Sequence, residues 1–222
     1  MLARDQLKVC PNTGQALYPE LRHHMVVIAN PSPLKKTMLS EMSIDFSSIN
    51  TPVFTFDTNK SFVDMVQGKV NQECEWLSSY LPRDNSYKKY ITMICMANAM
   101  QVDGAYIFVS NERSENIEAI QNIAGKSVHI CTVLRTICLS SDPSFYWHRN
   151  HIVQTTANIS TMSPKMIEEY IDSSEFERLK GESCFFTADS KWVTSVIGPE
   201  PCLFGFPIKE LTKTLDELEL LD

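Results

Sequence analysis

The segment Met25-Val26-Val27-Ile28-Ala29-Asn30-Pro31-Ser32-Pro33 constrains this chain more than any other. An apolar run rich in β-branched residues ends abruptly at Asn30-Pro31, so a strand must stop there. Ser32 can then accept from a backbone N–H two or three residues on. Pro33 has no N–H to leave unpaired at a first helical position. A strand, a tight turn and a helix are therefore expected in immediate succession. The free N–H groups of that helix start, with Lys35 and Lys36 in its first turn, suit a phosphate group. They equally suit an ordinary strand-to-helix turn with solvated lysines, and the local pattern leaves both readings open.

The remaining pattern alternates. The helix opened by Ser32 carries Leu34, Met38, Leu39 and Met42 at apolar spacing, and residues 44–46 and 53–56 read as short strands. Residues 61–81 predict a helix carrying Phe62, Met65, Val66, Lys69, Val70 and Trp76, followed by a loop at 82–86. Residues 90–97 are almost uninterruptedly apolar, as expected of a central strand buried on both faces. A turn at 101–104 and a strand at 105–109 complete a hairpin. Ser114 is expected to cap a helix that places Ile117, Ile120 and Ile123 on one face and ends before Gly125. Residues 128–139 predict a long strand, 140–150 a loop presenting Phe145, Tyr146 and Trp147, and 152–159 another strand. Ser163-Pro164 repeats the capping device ahead of Met166, Ile167, Tyr170 and Ile171. Residues 184–187 and 192–197 read as late strands, and a final helix carries Leu211, Leu215 and Leu218 at core spacing. The alternation predicts one α/β domain built on a mixed sheet, preceded by a polar extension over residues 1–24.

With 222 residues the chain can bury one sizeable core. A formal charge of −7 disfavours direct binding to nucleic acid or to an anionic membrane. The cysteines at 10, 74, 95, 131, 138, 184 and 202 are odd in number and none has a partner at zinc-knuckle spacing. They read as reduced thiols of an intracellular protein. His148-x-x-His151 has no neighbouring thiol or carboxylate at ligand spacing and reads as surface histidines rather than a metal site. Neither a secretion-signal core nor a bilayer-length apolar run is visible, so the expected compartment is the cytoplasm.

From about Met25 to Leu221 the chain resembles the Maf family of nucleoside-triphosphate pyrophosphatases. In that family the first strand runs into Ser-x-Ser-Pro-Arg-Arg and then a leucine pair. Here Ser32-Pro33 and Met38-Leu39 match, Asn30 stands for the first serine, and Leu34-Lys35 for the arginines. Ile123-Ala124-Gly125 and the run His129-Ile130-Cys131-Thr132-Val133-Leu134 resemble the family's Leu-Ser-Gly turn and His-x-Val-x-Thr-Gly-Val strand. Tyr170, Glu175 and Gly181 hold their places in the helix, Gly-Glu and Asp-Lys-Ala-Gly stretch. Gly205-Phe206-Pro207-Ile208 resembles the closing Gly-Leu-Pro-Leu. The resemblance implies a Maf-like domain at 25–222, with the mixed twisted sheet of the Maf and inosine-triphosphatase type and a surface suited to dimers.

The family cleaves a nucleoside triphosphate between its α and β phosphates, using a carboxylate-held divalent metal and a set of cations. Carried over residue by residue, the family's glutamate falls on Thr58 of Asp57-Thr58, while its helix lysine is kept as Lys69. Gly-Ala-Asp-Thr falls on Met96-Ala97-Asn98-Ala99, and in the neighbouring register Ala97 takes the aspartate's place. Gly-Lys-Pro falls on Val109-Ser110-Asn111, and the late Asp-Lys on Arg178-Leu179. An amide such as Asn98 can hydrogen-bond but neither accepts a proton near neutral pH nor neutralises a dication. Across residues 90–110 the one carboxylate is Asp103, in the expected turn. The resemblance therefore implies a homologue with no catalytic residues and no metal ligands. It keeps Ser32, Lys35, Lys36 and Lys69 as contacts for a nucleotide phosphate, and works as a structural or interaction subunit with a protein partner or a second copy. Two alternatives stay open. One is an active Mg- or Mn-dependent pyrophosphatase releasing pyrophosphate and a nucleoside monophosphate; the other is a sensor that binds the triphosphate without hydrolysing it.

Overall fold

The computed structural model describes residues 24–42, 44–81, 90–140, 142, 145–177, 179, 184–186, 190–218 and 220. The expected extension at 1–24 lies, His24 apart, outside them, as do the loop at 82–86, Arg178 and Gly181. In chain order the elements are β1 (His24–Ala29), α1 (Pro33–Glu41), β2 (Ser47–Ile49), α2 (Phe62–Tyr80), β3 (Tyr90–Val102), β4 (Ala105–Ile107), α3 (Arg113–Ile123), β5 (Ser127–Ser140), β6 (Tyr146–Ile159), α4 (Pro164–Ile171), α5 (Ser174–Glu177), β7 (Val193–Ile197), a 3-10 helix (Glu200–Phe204) and α6 (Ile208–Glu217). The strands form one seven-stranded sheet in the order β2-β1-β3-β5-β6-β7, with β4 hairpinned onto β3. β1 runs parallel to β2 and β3, and every other pairing is antiparallel. The molecule is thus a single α/β domain around a mixed sheet, and among the described residues no helix is long and apolar enough to cross a membrane.

β3 organises this arrangement because it is apolar on both faces. Strand side chains alternate, so Met93, Cys95, Ala97 and Ala99 point to one face and Ile94 and Met96 to the other. The first face is covered by α2 through Met65, Val66, Val70, Cys74 and Leu77. The second is covered by Leu39 of α1 and by Leu211 and Leu215 of α6. Farther along, Met100 and Ile130 join Ile120 of α3, Tyr170 of α4 and Phe185 in a separate cluster. At the β3–β4 turn Asp103 and Gly104 both adopt positive φ, 49° and 82°, which matches the right-handed twist of the flanking strands.

Several local expectations are corrected. Helix α3 begins at Arg113 behind Glu112, without a side-chain cap bond, so Ser114 lies inside the first turn rather than at the cap. The short strand expected at 44–46 forms instead at Ser47–Ile49, the register in which it pairs with Val27–Ala29. Residues 53–56 are not a strand, and Val53 is 92% exposed. Residues 184–186 are buried but not extended into a strand.

The largest correction concerns the expected aromatic loop, where β6 already begins at Tyr146. Trp147 is fully buried, Phe145 packs edge-on against Tyr90 with centroids 5.3 Å apart, and only Tyr146 is exposed. Pairing with the long β5 carries the strand through this polar segment. The same register places His148 and His151 on opposite faces of β6, half-buried rather than on the surface. His151 Nε2 lies 2.9 Å from Thr214 Oγ1.

Gly205 caps the 3-10 helix with φ +71°, and a Cβ there would meet Asn98 Oδ1 at 2.4 Å. Gly205→Ala is expected to lose about 2 kcal/mol or more in a denaturation experiment. In an Asn98→Ala background that loss should shrink. A cycle additive to within about 0.5 kcal/mol would contradict the contact.

Candidate functional site

The site is built at the end of β1. Asn30 turns the chain with φ 42°, a left-handed conformation that asparagine tolerates better than most residues. Its N–H donates to the Ile49 carbonyl at 3.0 Å, and its Oδ1 accepts from the Thr51 N–H at 2.8 Å. Its amide N–H donates to Thr51 Oγ1. These bonds pin the turn to the strand that leaves β2. Ser32 then starts α1 as expected: its Oγ accepts from the Lys35 N–H at 3.3 Å, and its carbonyl from the Lys36 N–H at 2.9 Å.

α1 and α2 cover opposite faces of the sheet. Lys35 is only 8% exposed, whereas Lys36 points to solvent. Lys69, from the middle of α2, places its ammonium 4.6 Å from the centroid of the Phe56 ring, which in turn stacks on Phe108 at 5.3 Å. Burial pushes the Lys69 ammonium below its ordinary pKa; the Glu73 carboxylate opposes that shift and the Lys35 charge adds to it. The structure thus puts Ser32 and Lys35 at the start of α1 and Lys69 within electrostatic range of Lys35, and leaves Lys36 exposed.

Glu73 is the residue that the sequence pattern did not single out. It sits one helical turn after Lys69, is 4% exposed, and its Oε2 is buried without a hydrogen-bond partner. Burial raises its carboxyl above the ordinary value, while Lys69, a hydrogen bond with Asn30, and Lys35 pull it back. Among the described residues no ion pair joins Glu73 to either lysine, although the three groups lie close enough to influence one another electrostatically. A signal was available: Glu73 continues the buried series Val66, Val70 and Leu77 along α2, where a carboxylate is out of place.

The other carried-over positions do not complete a catalytic constellation. Ala97 faces α2. Asn98 points to the opposite face, where it is buried against Gly205 and both amide atoms lack partners. Asp57 is exposed beside Lys60, 3.7 Å away. Ser110 is tied to the start of α3, its N–H donating to Asn116 Oδ1 at 2.9 Å. The Cys95 thiol behind Glu73 is pushed well above its usual pKa by its bond with Cys74 and by burial, and stays neutral. The cluster offers one carboxylate and two ammonium groups, and among the described residues no group of three His, Cys, Asp or Glu that could hold a metal ion is seen.

The raised Glu73 carboxyl has a consequence for stability. A group that binds its proton more tightly in the folded state contributes stability that is complete below the ordinary carboxylate pKa and is lost as pH rises through the folded value. Thermal melts of the protein and of Glu73→Gln should therefore diverge as pH rises from about 5 to 8, with the variant gaining relative stability. A constant difference across that range would show that the carboxyl titrates as an ordinary one. No protein family matches the chain, and no curated relative matches it.

Proposed function

We propose that this chain is a Maf-like homologue of the nucleoside-triphosphate pyrophosphatases that has lost catalysis, keeps an anion site at the end of β1, and acts as a structural or interaction subunit. The donor set at that site is the observation that carries this proposal. Phosphoanhydride cleavage in the family needs carboxylates to hold a dication and to activate water. Lys35 and Lys69 offer cations for phosphate oxygens, but Glu73 is the single carboxylate beside them, and β3 supplies Asn98, or Ala97 in the neighbouring register, in place of the family's aspartate. The alternation of strands and helices, with β1 parallel to a long central β3, agrees with the resemblance.

A role in contacts is supported by β6. Among the described residues β7 pairs only with Thr156–Ile159, so the outer edge of residues 146–153 has no strand partner. Beside that edge Tyr146 and Ile152 remain 40% and 44% exposed on the face that α2 leaves open. An unpaired edge flanked by apolar side chains is a template for another chain.

The test is pyrophosphate release from a panel of canonical and modified nucleoside triphosphates with magnesium or manganese, run beside Lys69→Ala. No turnover is expected from the folded protein. Turnover that disappears in Lys69→Ala would overturn the proposal and support the active-enzyme alternative. Anion binding without turnover, seen as a rise in Tm on adding a triphosphate, is expected to weaken in Lys69→Ala without loss of fold.

A further inference from the structure

The charges at the end of β1 are arranged unlike a simple phosphate cradle. The start of α1 and the two lysines attract an anion, yet the buried carboxylate of Glu73 on α2 lies within electrostatic range of both lysines and bonds to Asn30. Two anions held side by side among buried groups cannot both keep full charge at little cost. One of them must take a proton, or one must leave.

We propose that Glu73 is the internal counter-ion of the Lys35–Lys69 anion site, and that an oxyanion enters this site together with one proton taken up by the Glu73 carboxylate. The inference builds on the anion-site proposal above and adds how the site is controlled. In the resting state the carboxylate balances part of the lysine charge. When a phosphoryl or sulfuryl group arrives, a solvent proton bonds to a Glu73 oxygen, and the new O–H donates to an oxygen of the anion. Nothing is oxidised and no other bond changes.

Three structural features support this exchange. Glu73 Oε2 is buried and has no hydrogen-bond partner, so one carboxyl oxygen has unused capacity. Neither lysine is in an ion pair with Glu73 among the described residues, so neither ammonium is held in direct contact with the carboxylate. Lys69, whose ammonium burial pushes below its ordinary pKa, is the competing proton acceptor beside Glu73. The groups facing Glu73 are Lys69 from its own helix, Lys35 from α1, Asn30 from the turn after β1, and the neutral Cys95 thiol from β3, with Arg135 of β5 beyond that thiol. Burial also favours the neutral acid over the carboxylate at this position.

Sulfate is the appropriate probe, because it carries the same tetrahedral oxygens as a phosphoryl group but does not titrate between about pH 6 and 8. Its binding to the full chain is measured by calorimetry in two buffers of different ionisation enthalpy, which counts the protons taken up. The protein should take up close to one proton per sulfate, and affinity should rise by up to about tenfold per pH unit as pH falls. Glu73→Gln should bind sulfate more tightly than the parent at pH 8 and take up no proton at pH 6. Lys69→Arg, whose cation does not titrate, should keep the uptake and so separate Glu73 from Lys69 as the proton acceptor. Equal binding by the parent and Glu73→Gln, or uptake that survives in Glu73→Gln and vanishes in Lys69→Arg, would overturn the role of Glu73 alone. Absence of sulfate binding in all three folded proteins would overturn both that role and the anion site itself.

Discussion

The burial of β3 on both faces is the constraint from which the rest of the structure follows. A strand that is apolar on either side needs cover above and below, and this chain supplies α2 on one face and α1 with α6 on the other. Because α1 begins directly after β1, its N-terminus is held at the sheet edge by the Asn30 turn and the bonds to Thr51. α2 packs on the opposite face, and Lys69 and Glu73 from its middle come within electrostatic range of Lys35. The meeting of Lys35 with Lys69 and Glu73 is thus a result of layering, assembled from elements far apart in sequence.

That layering places charge where solvent is scarce, and this decides the chemistry. Lys35 and Glu73 are almost fully buried, and Lys69 has its ammonium over an aromatic ring. In such surroundings each charge depends on the others, which is why burial pushes Lys69 down and Glu73 up while each restrains the other's shift. A metal-dependent phosphatase site needs a surplus of negative ligands. This cluster carries two ammonium groups against one carboxylate.

Much of this was legible from the sequence where the signal was local. The strand stop at Asn30 and the cap at Ser32 needed only neighbouring residues, and the structure has both where the pattern expected them. The continuous apolar run of β3 also announced its burial. What failed depended on distant pairing. The start of β6 is set by its register on β5, which overrides the polar look of residues 148–151. The position of β2 is likewise set by β1 rather than by its own apolar residues. Asn98 turned away from the lysines because strand alternation assigns it to the other face, and a single-residue register shift was enough to change the side. Glu73 was overlooked because a lone acid in a helix usually faces water; only its place among Val66, Val70 and Leu77 marked it as buried.

The central claim is that Lys35 and Lys69 hold phosphate oxygens without a protein-bound metal. A manganese anomalous difference map from crystals soaked with manganese and a non-hydrolysable nucleoside triphosphate analogue tests it most directly. The account predicts phosphate density against both lysines and no manganese ligated by a carboxylate of the chain. A manganese peak bound by protein carboxylates at the end of β1 would contradict it.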